Sequence, residues 1–119
     1  MCLTKLFAIV MIGFTCSVQA DQSEIEYLLN AVAESNCEYF RNGKKHSAEK
    51  AAKHLRMKYE RAKKYVKSAE DFIAKLASRS SISKKPYRYT CPDGTNGYTA
   101  TWFRKNLSDY RARVALQSP

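Results

Sequence analysis

The stretch from Ser47 to Leu76 constrains the fold more tightly than any other part of the chain. Ala48, Ala51, Ala52, Leu55, Tyr59, Ala62, Val66, Ala69, Phe72, Ile73 and Leu76 recur there at steps of three and four. That spacing collects apolar side chains on one side of an α-helix. A stripe of this length has to be covered, so the pattern predicts helical structure packed against the rest of the chain. Ser47 offers an N-cap hydroxyl and Glu49 an acid for the first turn, where the helix dipole favours negative charge. Ser68-Ala69-Glu70-Asp71 repeats the capping pattern inside the stretch, which predicts a break near Lys67 and a separate short helix from about Ala69 to Ala77.

The opposite side of the first of these helices collects Lys50, Lys53, Met57, Arg61 and Lys64, with Arg56, Lys63 and Lys67 on one flank. The whole chain carries a net charge of +10, and its imbalance is local: eleven basic residues between Arg41 and Lys67 face only Glu49 and Glu60. Lysines on a helix are ordinarily a solvated face, but a merely solvated face mixes signs. Met57 stands apolar among the cations, and methionine adapts to varied contact surfaces. Lys50, Lys53, Met57, Arg61 and Lys64 are therefore the candidate partner-binding residues. The partner expected from the charge is an acidic protein or an anionic envelope component. Nucleic acid would also answer the charge, but the export signal described next disfavours it. Insertion into a bilayer is disfavoured because the alanine-rich stripe is needed for the protein's own core.

Met1 to Ala20 has the form of a secretory signal: Lys5 near the start, a mostly apolar run from Leu6 to Val18, and Val18-Gln19-Ala20 at the end. The mature protein would then be one α-helical domain over residues 21–119, periplasmic or secreted, with no transmembrane span. Cys2 and Cys16 leave with the signal, so Cys37 and Cys91 remain as an even pair in an oxidising compartment. One disulfide is expected, and the loop it closes is long enough for roughly 4 kcal/mol of stabilisation.

Along the remainder, Ser23-Glu24-Ile25-Glu26 is a capping box that predicts a helix start. Ile25, Leu28, Leu29, Val32 and Asn36 form the inner face of that helix, which frays around Asn36 to Tyr39. Arg41-Asn42-Gly43 predicts a chain reversal. Ser78 to Pro86 is rich in side chains that bond backbone and reads as a loop. Tyr87 to Cys91 alternates as a short extended segment, and Pro92-Asp93-Gly94 and Asn96-Gly97 are turn signals. Thr99 or Thr101 caps a last helix with Trp102, Phe103, Leu107, Tyr110 and Val114 on its apolar side, and Leu116 to Pro119 forms a loose tail. The fold class expected is mostly α: a single small domain of three to four helices with a short extended segment, tied by one disulfide.

Few patterns carry catalytic chemistry. Ser47 to Lys50 and Ser81 to Lys84 have the spacing in which a lysine activates a serine, but Ser47 is explained as a helix cap and Ser81 lacks the accompanying elements. His46 and His54 are the only histidines. They have no third ligand at metal-site spacing, and His54, at the border of the apolar stripe, reads as a partly buried structural residue. No glycine-rich phosphate loop and no acid pair for general acid and base work is evident. No cofactor or metal is expected, and an enzyme is disfavoured.

Taken in order, Glu24-Ile25-x-Tyr27-Leu28-Leu29, Ser35-x-Cys37, Arg41-Asn42-Gly43, His54-Leu55, Lys58-Tyr59, Phe72-Ile73, Ala77-Ser78-x-Ser80-Ser81-x-Ser83, Pro86-Tyr87, Cys91 and Trp102 through Tyr110-Arg111 resemble the YfeK-like family of small exported bacterial proteins. The resemblance spans nearly all of the mature chain and implies a periplasmic envelope protein with its two cysteines paired. The family has no known function, so it transfers no residue roles. Lys84 departs from the pattern where glycine is expected after the serine loop. Arg41, Asn42, Ser80 and Ser81 lie in the two loops that match best, and they are the candidate loop site. The function expected is a small exported binding protein that engages an acidic partner through its cationic helix face. The alternative is an envelope enzyme acting on cell-wall or polysaccharide substrate through the serine-rich loop.

Overall fold

A computed structural model of the protein describes residues 21–117. The expected signal over Met1 to Ala20 lies outside the described residues, as do the last two residues of the chain. In chain order the elements are α1 (residues 21–34), β1 (Glu38–Arg41), β2 (Lys44–Ser47), α2 (Ala48–Ala62), a single 3-10 turn (Lys63–Tyr65), α3 (Ala69–Phe72) running on into a π-helical turn (Ile73–Ala77), β3 (Arg88–Thr90), β4 (Asn96–Tyr98) and α4 (Thr99–Gln117). The four strands form one antiparallel sheet in the order β2-β1-β3-β4. The expectation of a mostly α fold with one short extended segment is therefore overturned.

The missing strands have a local cause. Arg41 pairs with Lys44 across the two-residue loop Asn42-Gly43, whose residues sit at φ 54° and 78°. Two consecutive positive φ values are the mark of the type I′ turn, the hairpin turn that Asn-Gly favours. The reversal predicted at this point is thus a β-hairpin instead of a helix-to-helix turn. Its strands, Glu-Tyr-Phe-Arg and Lys-Lys-His-Ser, carry charge on both faces, and the apolar alternation that advertises a strand is lost.

Other boundaries follow their capping chemistry. Ser47 Oγ accepts from the Lys50 amide at 3.2 Å, the N-cap expected for α2. The break near Lys67 is present: Ser68 Oγ accepts from the Asp71 amide at 3.0 Å, and Asp71 Oδ2 accepts from the Lys67 amide at 2.9 Å. Several expectations fail. Asn36, expected on the inner face of the first helix, lies beyond its end, exposed and at φ 59°, and Asn96-Gly97, expected as a turn, opens strand β4. Residues 21–23 are already helical, so Ser23 lies inside α1 and does not cap it. Thr99 opens α4 with its hydroxyl unpartnered, and Thr101 lies within the helix, so neither caps it. Leu116 and Gln117 belong to α4 and not to a loose tail. Lys84 stands at φ +65°, the left-handed conformation that glycine adopts without steric cost. The departure noted in the sequence therefore falls where the backbone calls for glycine.

The core joins all four helices to the inner face of the sheet. Ile25, Leu28, Leu29 and Val32 of α1 are buried, as are Leu55 and Tyr59 of α2, Phe72, Ile73 and Leu76 around α3, and Phe103 and Leu107 of α4. Edge-to-face rings run through it: Tyr59 to Phe72 and Phe72 to Phe103 at 5.9 Å, Phe103 to Trp102 at 5.2 Å, and Trp102 to Tyr39 of β1 at 6.2 Å. At the open end of the helices Arg111 donates to Glu24 of α1 and Glu70 of α3 at 2.7–3.1 Å, tying three helices together. The Cys37–Cys91 disulfide is present as expected, with Cα atoms 4.1 Å apart. Because Glu38 pairs with Thr90, the bridge sits one step beyond the β1–β3 ladder and closes its end.

Candidate functional site: a cationic cleft between helix and sheet

Strand register gathers the side chains of the site. Tyr39 pairs with His46 on one side and Tyr89 on the other. Alternation then places Arg41, two residues on, on the same face. Tyr87, one step before β3, aligns with Arg41. The opposite face carries the exposed residues Glu38, Lys45, Arg88 and Thr90. On the inner face, α2 begins directly after β2 and lays Lys50, Ala51, His54 and Leu55 across the strands. A cleft of about 40 Å³ lies between them, room for roughly three waters at about 10–15 Å³ each. Tyr39, Leu55 and Tyr87 give it apolar walls, and Arg41, Lys50 and the two histidines give it polar ones. None of its lining residues is acidic. Thr99 also lines it, 2% exposed, and its Oγ1 is the one buried side-chain polar atom without a hydrogen-bond partner among the described residues.

Arg41 is the charge shared by several groups of the site. Its guanidinium has no carboxylate partner among the described residues, and its charge reaches His46, His54 and Tyr87 in the cleft wall, in each case second to burial. Burial pushes His54 down to about 4, helped by the positive charges of Arg41, Lys58, His46 and Arg61. His46 is lowered in the same direction, by burial first and then by Arg41, Lys50 and Lys44. Behind Tyr87, burial and Arg41 bring Lys58 down to about 8. The Lys58 ammonium donates to the Leu76 carbonyl at 2.7 Å and the Tyr87 hydroxyl at 3.1 Å. It thereby holds Tyr87 against His54, with the two rings 6.5 Å apart.

His54 yields a prediction with a definite sign. Its folded pKa lies below the ordinary histidine value, so between about pH 6.5 and 4 the unfolded chain binds the extra proton and the folded chain does not. Stability should therefore fall as pH drops through that window, and His54→Gln should flatten this limb. Urea midpoints at several pH values, with an NMR titration of the imidazole, check it. A His54 ring that titrates at 6.5 or above defeats the expectation.

The sequence-selected residues fall into three places. Arg41 and Lys50 line the cleft. Lys53, Met57 and Arg61 stand away from it on the exposed side of α2, and Lys64 is exposed in the 3-10 turn that follows. Asn42 and the serine loop do meet, since Ser83 Oγ donates to Asn42 Oδ1. Ser80 is buried, and its hydroxyl accepts from the amides of Ile82 and Ser83 at 3.3 Å each, which shapes the loop. Ser81 is exposed. The sequence-based account gave His46, His54, Tyr87 and Thr99 no part in a shared site. The usable signal was Asn42-Gly43: read as a hairpin, it places Tyr39, Arg41 and His46 on one face. Among the described residues, no three of His, Cys, Asp and Glu converge to hold a metal ion, and no helix is long and apolar enough to cross a membrane.

A four-stranded antiparallel sheet packed on helices, latched by one disulfide and holding a cationic cleft without acids, defines a small α+β protein. The chain belongs to the family of unknown function DUF5329, whose profile matches residues 19–111. It is 41% identical over 68 residues to the uncharacterized protein YfeK of Salmonella typhimurium, a match covering 56% of this chain and 57% of that one. The chain thus spans little more than half the length of this relative, and the YfeK-like resemblance drawn from the residues holds. No solved structure matches the chain.

Proposed function

We propose that the protein is an exported binding protein that engages an acidic protein partner through the outer face of α2. The observation that carries this reading is the stripe Lys50, Lys53, Met57, Arg61 and Lys64, at helical steps of three and four, all five exposed. Neighbouring cations are already occupied: Arg56 is paired with Glu26 at 2.8 Å, Lys63 with Glu60 at 3.6 Å, and Lys58 is turned into the protein. Within the stripe, among the described residues, only Lys53 meets a carboxylate, Glu49 at 3.8 Å, and both groups are so exposed that this pair is worth little. Met57 at 44% exposure, with Tyr65 at 63% just beyond the helix, adds apolar and aromatic contact area of the kind enriched in protein interfaces.

The test is a crosslinking pull-down from an envelope fraction with Lys53→Glu, Arg61→Glu and Lys64→Glu combined as the control. Wild-type protein should recover an acidic partner at physiological salt, with recovery falling as salt rises, and the reversed variant should lose it. Equal recovery by both would return the stripe to a solvated helix face.

A further inference from the structure

We propose that the cleft between α2 and the inner face of the sheet binds the carboxylate of a small apolar organic acid, free or as the last residue of a peptide. Arg41 and Lys50 would take the charge, and the Thr99 hydroxyl would donate to the bound group. This goes beyond the outer-face reading and shares only Lys50 with it.

Three observations converge. Arg41 lines a cleft with no acidic residue and has no carboxylate partner among the described residues. A guanidinium offers a planar fork of donors that matches a carboxylate. The walls beside it are apolar, formed by Tyr39, Leu55 and Tyr87, so an ion with no hydrocarbon would leave them bare. Ligand sites commonly combine such walls with a few placed polar groups. The third observation is Thr99 Oγ1, buried without a partner on a residue that lines the same cleft. A buried unpaired hydroxyl is costly, and native proteins seldom leave one without reason. A bound carboxylate supplies the acceptor it lacks. The cleft, about 40 Å³ in volume, suits a carboxylate and a short stem.

The experiment follows the His46 and His54 ring signals by NMR while butyrate, butyramide or inorganic phosphate is added to the full mature chain. Butyrate should give a saturable shift, with butyramide and phosphate at least about tenfold weaker. Arg41→Gln should weaken butyrate about tenfold or more, the loss of one charge-assisted pair. Thr99→Val, which exchanges the hydroxyl for a methyl, should weaken binding several-fold while raising the melting temperature of the unliganded protein. It keeps the test decisive if Arg41→Gln loosens the hairpin. The Lys53, Arg61 and Lys64 reversal should bind butyrate like the parent, so a failed outer face and a failed cleft are told apart. Peptides ending in leucine, with free or amidated ends, identify the source. Tighter binding of the free-ended peptide than of butyrate points to a chain terminus, and weaker binding to a free acid; both support the carboxylate site. No saturable shift with butyrate, phosphate binding as tightly as butyrate, or parental affinity in Arg41→Gln or Thr99→Val overturns it.

Discussion

Replacing both bridging residues, Cys37→Ala with Cys91→Ala, is expected to lower the stability of the fold by roughly 4 kcal/mol and its melting temperature by roughly 15–30 °C. The two cysteines are 54 residues apart in sequence, so the link removes much of the freedom of the unfolded chain. The effect is large because a domain of this length has only about 5–15 kcal/mol to lose. The bridge also lies at the end of the β1–β3 ladder, where the sheet would otherwise fray. Strands of three and four residues have few ladder bonds of their own. Chemical denaturation of the oxidised protein, the reduced protein and the double variant provides the measurement. The last two should agree, and a loss below about 1 kcal/mol would mean that the helices alone hold the sheet in place.

Phe72→Ala should cost a similar amount, about 3–5 kcal/mol. Phe72 has no exposed surface and meets Tyr59 and Phe103 edge-on, each at 5.9 Å and 87°. Truncation removes a full ring from water-free contact and two aromatic pairs, each worth about 0.5–1.5 kcal/mol. α3 is only four residues long before it passes into its π-helical turn, so little local structure compensates. Phe103 relays the change to Trp102, whose ring lies 5.2 Å away, and the near-ultraviolet circular dichroism of that single tryptophan should diminish. Phe72→Leu, which keeps most of the apolar volume, should lose markedly less. An alanine variant as stable as the parent would place the ring outside the core.

The two proposed surfaces differ in what makes them charged. On the outer face of α2 the cations are exposed, and salt screens them. In the cleft, Arg41 acts through a partly enclosed space, adding to the burial that holds His54 neutral, so its influence should persist at salt concentrations that silence the stripe. Lys50 stands at the border of both.

The helical stretches, the caps at Ser47 and Ser68 and the cysteine pairing were legible in the residues themselves, whereas the caps expected at Ser23 and Thr99 or Thr101 were not. Ser47, the apolar stripe, the Ser68 break and the Cys37–Cys91 pair each act through neighbours a few positions away, or through a count of two. The same is true of the family resemblance, and of the outer cationic stripe, which needs only helical periodicity. The sheet was not legible in this way. Its strands carry charge on both faces, and although β1–β2 and β3–β4 are local hairpins, they become one sheet only when β1 pairs with β3, as Tyr39 does with Tyr89 fifty positions on. The cleft follows from that pairing. Arg41 and His46 meet His54, Tyr87 and Thr99 only after the hairpin has folded under α2 and β3 has docked beside β1. The Thr99 hydroxyl is orphaned by tertiary burial, not by anything in its local sequence. Short-range periodicity and capping determined the elements, whereas long-range strand register determined which of them share a site, because pairing energy depends on partners that the local sequence does not contain.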